Sequence, residues 1–255
     1  MLNWVQSIPN SGLLRFRGFF NGDRLIPTTP ETLKSVLADN SYDFQKPSGV
    51  RKFLLMILGA GLILVEGDVH KFQRKNVLPS FQLKHLKELY RVFWGKGVEL
   101  AEAIEAEINE KTHEKTQTGE EPVIEFGEWA TRVTLDIIGM AGMGRDFRAI
   151  KESDDELVQA YNMLLEPTME KAVYFAMNIL GPQDLIQKLP WKQNKDLKNI
   201  TGNLKRFCLD TVQRKKADLK AGGKAGDDLL TLLIQANSFS DQELVDQMLT
   251  FLAAG

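Results

Sequence analysis

Cys208 is the only cysteine among 255 residues, which excludes an intramolecular disulfide and points to a reducing compartment. Only three histidines accompany it, so a structural zinc site would have to draw on scattered carboxylates. No basic excess is present: 32 Lys and Arg stand against 34 Asp and Glu, a net charge of −2, which argues against an unaided nucleic-acid binder. No apolar run approaches the roughly 20 residues that span a bilayer. The longest, Phe53 to Val65, is interrupted by Gly59 and Gly61 and reads as buried chain. Met1 to Gly12 lacks the basic-then-apolar order of a signal peptide, so no export signal or anchor is visible. There is no G-x-S-x-G elbow, no G-x-x-x-x-G-K-[ST] loop and no H-E-x-x-H pair. Gly139, Gly142 and Gly144 are spaced wrongly for a nucleotide loop and read as a helix exit.

What is present is the composition of a folded chain, 43% hydrophobic and 26% charged, long enough for one large domain or two small ones. Leu13 to Phe19 alternates apolar and basic residues, and Arg24 to Thr28 follows the Asn21-Gly22-Asp23 turn, predicting a short hairpin. Beyond it the pattern is helical. Pro30 opens a helix with Thr29 as its cap. Leu83 to Lys111 carries the 3.6 period of a long amphipathic helix, and polar Thr112 to Glu121 reads as an exposed loop. Gly127 to Met140 is apolar on most of its circumference. Asp154 to Leu165, Thr168 to Leu180, Leu197 to Leu219 and Asp228 to Ala236 are further predicted helices. The last, Asp241 to Gly255, starts with Ser240 and Glu243 in capping-box spacing.

Two stretches carry the functional reading. In GDVHKFQRKNVLPSF, Gly67 to Phe81, Asp68 can cap a short helix that Pro79 stops, and His70 and Arg74 share one face of it. Such a pair offers a guanidinium and an imidazole to two carboxylates of one ligand, although a solvated helix face is the commoner meaning of i,i+4 polar pairs. The second stretch is the ending, Phe251-Leu252-Ala253-Ala254-Gly255. Its apolar helix lacks the polar close that would satisfy its last carbonyls, so the chain looks cut. Gly255 as a helix-terminating C′ glycine is the alternative.

The order LILVEGDVHKFQRKNVLPSF, a long helix, FGEWATRVTLDIIGMAGMGRDF, then helices ending in FLAAG resembles the N-terminal half of a cytochrome P-450, of the fungal haem-thiolate monooxygenase type. The resemblance implies a mainly α fold with a small β-sheet fragment near the N-terminus, a single incomplete domain over 1–255 truncated in the central distal helix. His70 and Arg74 match a W-x-x-x-R motif that contacts the haem propionates, with His in place of Trp. Ala254 and Gly255 match the first two positions of an A-G-x-[DE]-T motif on the distal wall. Lys46 to Val65 would be the loop over the haem, with Ile63 and Leu58 as candidate substrate-pocket residues; ordinary core packing is the alternative for this stretch. The loop holding the thiolate ligand would lie beyond Gly255.

Cys208, inside the helical pattern of LKRFCLDTVQ, reads as a buried thiol and not as the iron ligand. No catalytic residue and no metal ligand is assigned. The resemblance implies haem, an apolar small-molecule substrate, a reductase and the cytosolic face of the endoplasmic-reticulum membrane for complete relatives, and no nucleic acid. The fragment is expected to be inactive alone and not to retain haem. Its last helix is expected to expose an apolar patch. The competing reading is a non-catalytic helical ligand-binding or interaction protein. A membrane-surface scaffold would have to rest on Arg214-Lys215-Lys216, the one compact basic cluster.

Overall fold

Alternation in LLRFR produces β1, Leu13–Arg17, which pairs antiparallel with β2, Asp23–Pro27, in a register that sets Leu13 opposite Pro27 and Arg17 opposite Asp23. The computed structural model describes residues 2–18, 21–115, 123–151, 158–160, 163, 168–223 and 226–254. Among these the hairpin is the only sheet, as expected. It belongs to the first of two compact units, Met1–Pro47, which also holds α1, Leu2–Ser7, and α2, Pro30–Lys34. The Thr29 hydroxyl accepts from the Thr32 amide at 3.4 Å and the Thr32 hydroxyl accepts back from the Thr29 amide at 3.3 Å. This capping box starts the helix where the sequence predicts.

The second unit, Ser48–Gly255, is helical among its described residues. Its elements are α3 (Ser48–Leu58), α4 (Gly67–Val77), α5 (Leu83–Lys115), α6 (Phe126–Ile138), α7 (Met169–Leu180), α8 (Gln183–Ile186), α9 (Lys192–Lys220), α10 (Leu229–Ala236) and α11 (Asp241–Ala254). The helix expected at Asp154 to Leu165 falls mostly outside the described residues. α1 and α8 form where no helix is expected, α9 starts at Lys192, five residues before Leu197, and three further departures bear on the site. Lys46 to Val65 is not a continuous loop: SGVRKFLLMIL forms α3, whose Phe53 and Ile57, four residues apart, are buried together. The long helix runs four residues past Lys111, because a polar, charged stretch with no Gly or Pro continues a helix as readily as it forms a loop. The N-cap of α4 is Glu66, not Asp68. Asp68 sits in the first turn, where the helix dipole favours a carboxylate, and pairs with Lys71 at 3.1 Å.

α11 is the centre of this unit. Every residue from Leu244 to Leu252 is buried, enclosed by α9, α10, α3, α6 and the turn 139–143. The expectation of an exposed apolar patch on this helix is therefore overturned: among its described residues only Gln242 in its first turn and Ala253 and Ala254 at its end are exposed. A helix apolar around its circumference is buried on all sides, and here the chain supplies those sides itself. The basic cluster is also internal. Lys215 pairs with Asp228 at 2.5 Å and donates to the Met143 carbonyl at 2.9 Å. Lys216 pairs with Asp241 in the first turn of α11. These contacts tie α9 to its neighbours, and they leave Arg214 alone as an open basic residue.

A buried charge cluster fixes the turn after α6. Lys96 of α5 is 5% exposed and Asp136 of α6 is fully buried. The ammonium lies 3.6 Å from Asp136, 2.9 Å from Asp146 and 3.1 Å from Glu99. Asp136 accepts from the backbone amides of Ala149 at 2.7 Å and Ile150 at 3.3 Å. Burial pushes its carboxyl above the ordinary value, against the pull of those amides and of Lys96. Burial alone would lower Lys96 and raise Asp146. Their mutual hydrogen bond, aided by the surrounding charges, leaves Lys96 raised and Asp146 lowered.

Two stability outcomes follow. Met248→Ala, at a side chain 1% exposed, costs about 3 kcal/mol in urea unfolding, whereas Leu83→Ala, at a side chain 68% exposed, changes stability by less than about 0.5 kcal/mol. Lys96→Met costs about 3 kcal/mol near neutral pH by leaving Asp136 buried and unpaired. In wild type the depressed Asp146 contributes stability above its unfolded value of 3.8 that is lost as pH falls through its folded value. Lys96, raised above 10.5, contributes stability that is lost as pH rises through its folded value. The variant should lose both limbs in melts across pH, and its deficit should shrink in acid as Asp136 takes up a proton.

Candidate functional site

The described residues singled out in the sequence sit on α3, the loop after it, α4 and α11, and the last three of these meet at one polar clamp. The loop from Gly59 to Glu66 joins α3 to α4 and lies directly on α11. Asp246 of α11 accepts from the Ala60 amide at 2.9 Å and from the Gln242 amide group at 3.1 Å. Gln247 accepts from the Leu62 amide at 3.3 Å and donates to Gln73 of α4 at 2.8 Å. Gln73 in turn donates to the Ala60 carbonyl at 2.9 Å. Gln73 is 2% exposed and Gln247 is fully buried, so each amide makes the hydrogen bonds that burial demands.

The approach is closer than a side chain would allow. A Cβ at Gly59, whose φ is +72°, would fall 2.0 Å from Asp246 Oδ1. One at Gly61 would fall 1.9 Å from Thr250 Oγ1. These two glycines interrupt the apolar run because the backbone there presses against α11. Thr250 Oγ1 is buried with no hydrogen-bond partner among the described residues. After Gly61 the chain turns, with the Leu64 amide donating to the Gly61 carbonyl at 3.0 Å. Arg51 of α3 fastens the far end, donating to the Leu64 carbonyl at 2.7 Å and lying 3.5 Å from Glu66.

His70 and Arg74 share a face of α4, His70 half-buried and Arg74 exposed. Among the described residues Arg74 makes no ion pair. Gln73 lies between them in sequence and anchors their helix to α11. Ala254 follows Gln247 by seven residues, two helical turns, which places it on the same side of α11 about 10 Å along the axis. Ile63 is 45% exposed in the loop. Leu58, at the end of α3, packs against the cluster of Phe53, Ile57, Tyr174 and Ile186. Gly255 lies outside the described residues.

Cys208 is fully buried and burial pushes its thiol up to about 12, so it stays protonated and is no thiolate donor. Among the described residues no group of His, Cys, Asp and Glu is arranged to hold a metal ion, and no helix is long and apolar enough to cross a membrane. Gln73, Asp246 and Gln247 escaped sequence reasoning. The available signal was the polar pair Asp246-Gln247 inside LVDQML, since polar residues within a buried helix must have partners.

Removing the clamp's centre should be costly. Gln73→Leu leaves the Ala60 carbonyl and the Gln247 amide unsatisfied and should lower stability by about 2 kcal/mol. Asn76→Leu, at a half-buried position three residues on whose amide bonds only its own helix at Phe72, should cost less than about 1 kcal/mol in the same urea titration. Equal losses would remove the clamp's special role.

The sequence model of the family described as cytochrome P450 matches residues 23–255. Over 258 residues the chain is 35% identical to cytochrome P450 monooxygenase sphH of Aspergillus fumigatus, covering 100% of this chain and 47% of that relative. It is 37% identical to cytochrome P450 monooxygenase FUM15 of Gibberella moniliformis, with 99% of this chain and 43% of the relative covered. Cytochrome P450 monooxygenase buaD of Petromyces alliaceus is 35% identical over 96% of this chain and 44% of its own length. The chain thus spans about half the length of the curated relatives it matches. With the family match running from the second strand of the hairpin through the α4 pair to the central helix, the chain belongs to the cytochrome P450 family.

Proposed function

We propose that these 255 residues form the N-terminal half of a haem-dependent monooxygenase, in which α4 binds the propionate edge of the haem and α11 begins the distal wall. The observation that carries this reading is the anchoring of α4 to α11 through Gln73 and Gln247 at 2.8 Å, on a chain matching the family over residues 23–255. The residues present fit one edge of a haem and not its iron. Arg74 is an exposed cation without an ion-pair partner among the described residues, and the only thiol is buried and protonated.

When bound, the haem supplies the activation of dioxygen for oxidation of an apolar organic substrate. The work of this chain is positional. The Arg74 guanidinium gives a charge-assisted contact to a propionate carboxylate, and a ring nitrogen of His70 gives a second hydrogen bond from one turn earlier. Ala254, with its methyl side chain, and Gly255, with none, stand in sequence where the distal wall begins. Ile63 projects from a loop held still by α11 and forms one side of the substrate site, with Leu58 behind it. A reductase supplies electrons to the complete protein, which resides on the cytosolic face of the endoplasmic-reticulum membrane. The chain alone does not oxidise substrate, because the thiolate must come from residues other than these.

In the complete protein, Arg74→Ala should weaken haem retention about tenfold, as expected for one charge-assisted contact in a partly buried site. Arg214→Ala should leave it unchanged. The 255-residue chain mixed with haem, reduced and treated with carbon monoxide should show no thiolate-type absorbance band. Equal retention by the two variants would return His70 and Arg74 to the role of a solvated helix face.

A further inference from the structure

The second unit holds a groove of about 760 Å³ between the end of α3, the Gln187–Trp191 connection and roughly the first four turns of α9. Its charge is one-sided. Lys192, Lys195, Lys198 and Lys205 line it and no carboxylate does, in a chain whose net charge is −2. Among the described residues none of the four forms an ion pair. Lys192, Lys195 and Lys198 are exposed, and half-buried Lys205 donates only to the Met56 carbonyl at 3.4 Å. Four uncompensated ammonium groups around one concavity repel one another unless an anion enters it.

Beneath the lysines the groove is apolar. Met56, Leu189, Trp191 and Leu197 form its floor. Met56, Trp191 and Leu197 rest on the buried cluster of Phe53, Ile57, Tyr174 and Ile186, so the floor is fixed by the core. Asn194 donates to the carbonyls of Ile186 at 2.7 Å and Leu189 at 2.8 Å and accepts from the Tyr174 hydroxyl at 2.6 Å. Gln187 donates to Asn178 at 2.6 Å and to the Tyr174 hydroxyl at 3.0 Å. The polar side chains at the bottom are thus consumed in holding the turn, and the ammonium groups are left for a ligand. Between them Gly202, on the same side of α9, has nothing within 4 Å of where a Cβ would stand, which keeps the groove open along the helix.

We infer that this groove binds a single-tailed anionic amphiphile, its carboxylate or phosphate head among Lys195, Lys198 and Lys205 and its tail along Trp191 and Leu197. The volume lies in the range of small-molecule sites, and apolar walls with a few converging polar groups are their usual composition. Lysine stems cover the tail while their heads meet the anion. The larger groove between α5 and α6, about 940 Å³, offers no such match. Of its lining glutamates, Glu107 already engages Lys111 and the Trp129 ring nitrogen and Glu128 engages Arg132, and its carboxylates outnumber its cations. The inference does not rest on haem binding.

The test uses the 255-residue chain, with dodecanoate below its micelle concentration as the probe and calorimetry and tryptophan fluorescence as readouts. Wild type should bind it and Trp191 should shift to the blue, a shift lost in Trp191→Phe. Lys195→Gln/Lys198→Gln/Lys205→Gln should weaken binding roughly tenfold, the combined effect of three charge contacts. The matching triple arginine variant should bind like wild type, and Lys84→Gln/Lys87→Gln/Lys220→Gln should too. Neutral dodecyl maltoside should bind at least tenfold more weakly. Circular dichroism melts establish that each variant is folded. Equal binding of the neutral amphiphile, or equal loss in the Lys84/Lys87/Lys220 variant, would overturn the inference. Binding to phosphatidylserine vesicles without binding to monomeric dodecanoate would also overturn it, by assigning the lysines to a membrane surface.

Discussion

The fold of the larger unit depends on how one buried helix satisfies its polar groups. α11 is enclosed from Leu244 to Leu252, and Asp246 and Gln247 fall within that stretch. A carboxylate and an amide in such a place would each cost more than about 1 kcal/mol if left without partners. They find them in the backbone of the loop Gly59 to Leu62 and in Gln73 of α4. The loop is consequently part of the core's polar accounting. Its two glycines stand where the backbone touches α11, and its next residue, Ile63, projects outward from a fixed base.

That constraint connects packing to chemistry. The face of α4 bearing His70 and Arg74 has no apolar reason to be held, since Arg74 is exposed and the helix is rich in charge. Gln73 and Val77, its buried residues, do the holding. A second buried polar group works in the same way: Asp136 ties down the chain after α6 through two amides while Lys96 balances its charge. In both places a charged or amide side chain organises backbone that apolar contacts could not orient, because dispersion and burial are non-directional and hydrogen bonds are not.

Much of this was legible in the sequence. The hairpin, the Thr29 and Ser240 caps, the helices from α5 onward except the short α8, and the family followed from periodicity, cap spacing and residue order. The burial of Cys208 followed from its neighbours Phe207 and Leu209. Less legible was α3, because a stretch read as the loop of a known fold conceals a local helical pattern. The enclosure of α11 was misread for a different reason. An apolar ending shows that a helix needs cover on every side, but it does not say whether α9, α10 and α3 supply it. The clamp depends on pairs more than 170 residues apart, such as Gln73 with Gln247, and no local pattern reports such a pairing. The α4 pair remains a matter of resemblance, since what it contacts is not protein.

The clamp is most directly tested by native-state hydrogen exchange on the 255-residue chain. Ala60 and Leu62 are loop amides whose only protection comes from Asp246 and Gln247. The account predicts that they exchange as slowly as the amides of Met248 and Leu249 within α11, opening only when the unit unfolds, and that Asp246→Ala and Gln247→Leu each release their own amide first. Exchange of Ala60 and Leu62 at the rate of the exposed turn at Ala221 and Gly222, in wild type, would contradict it.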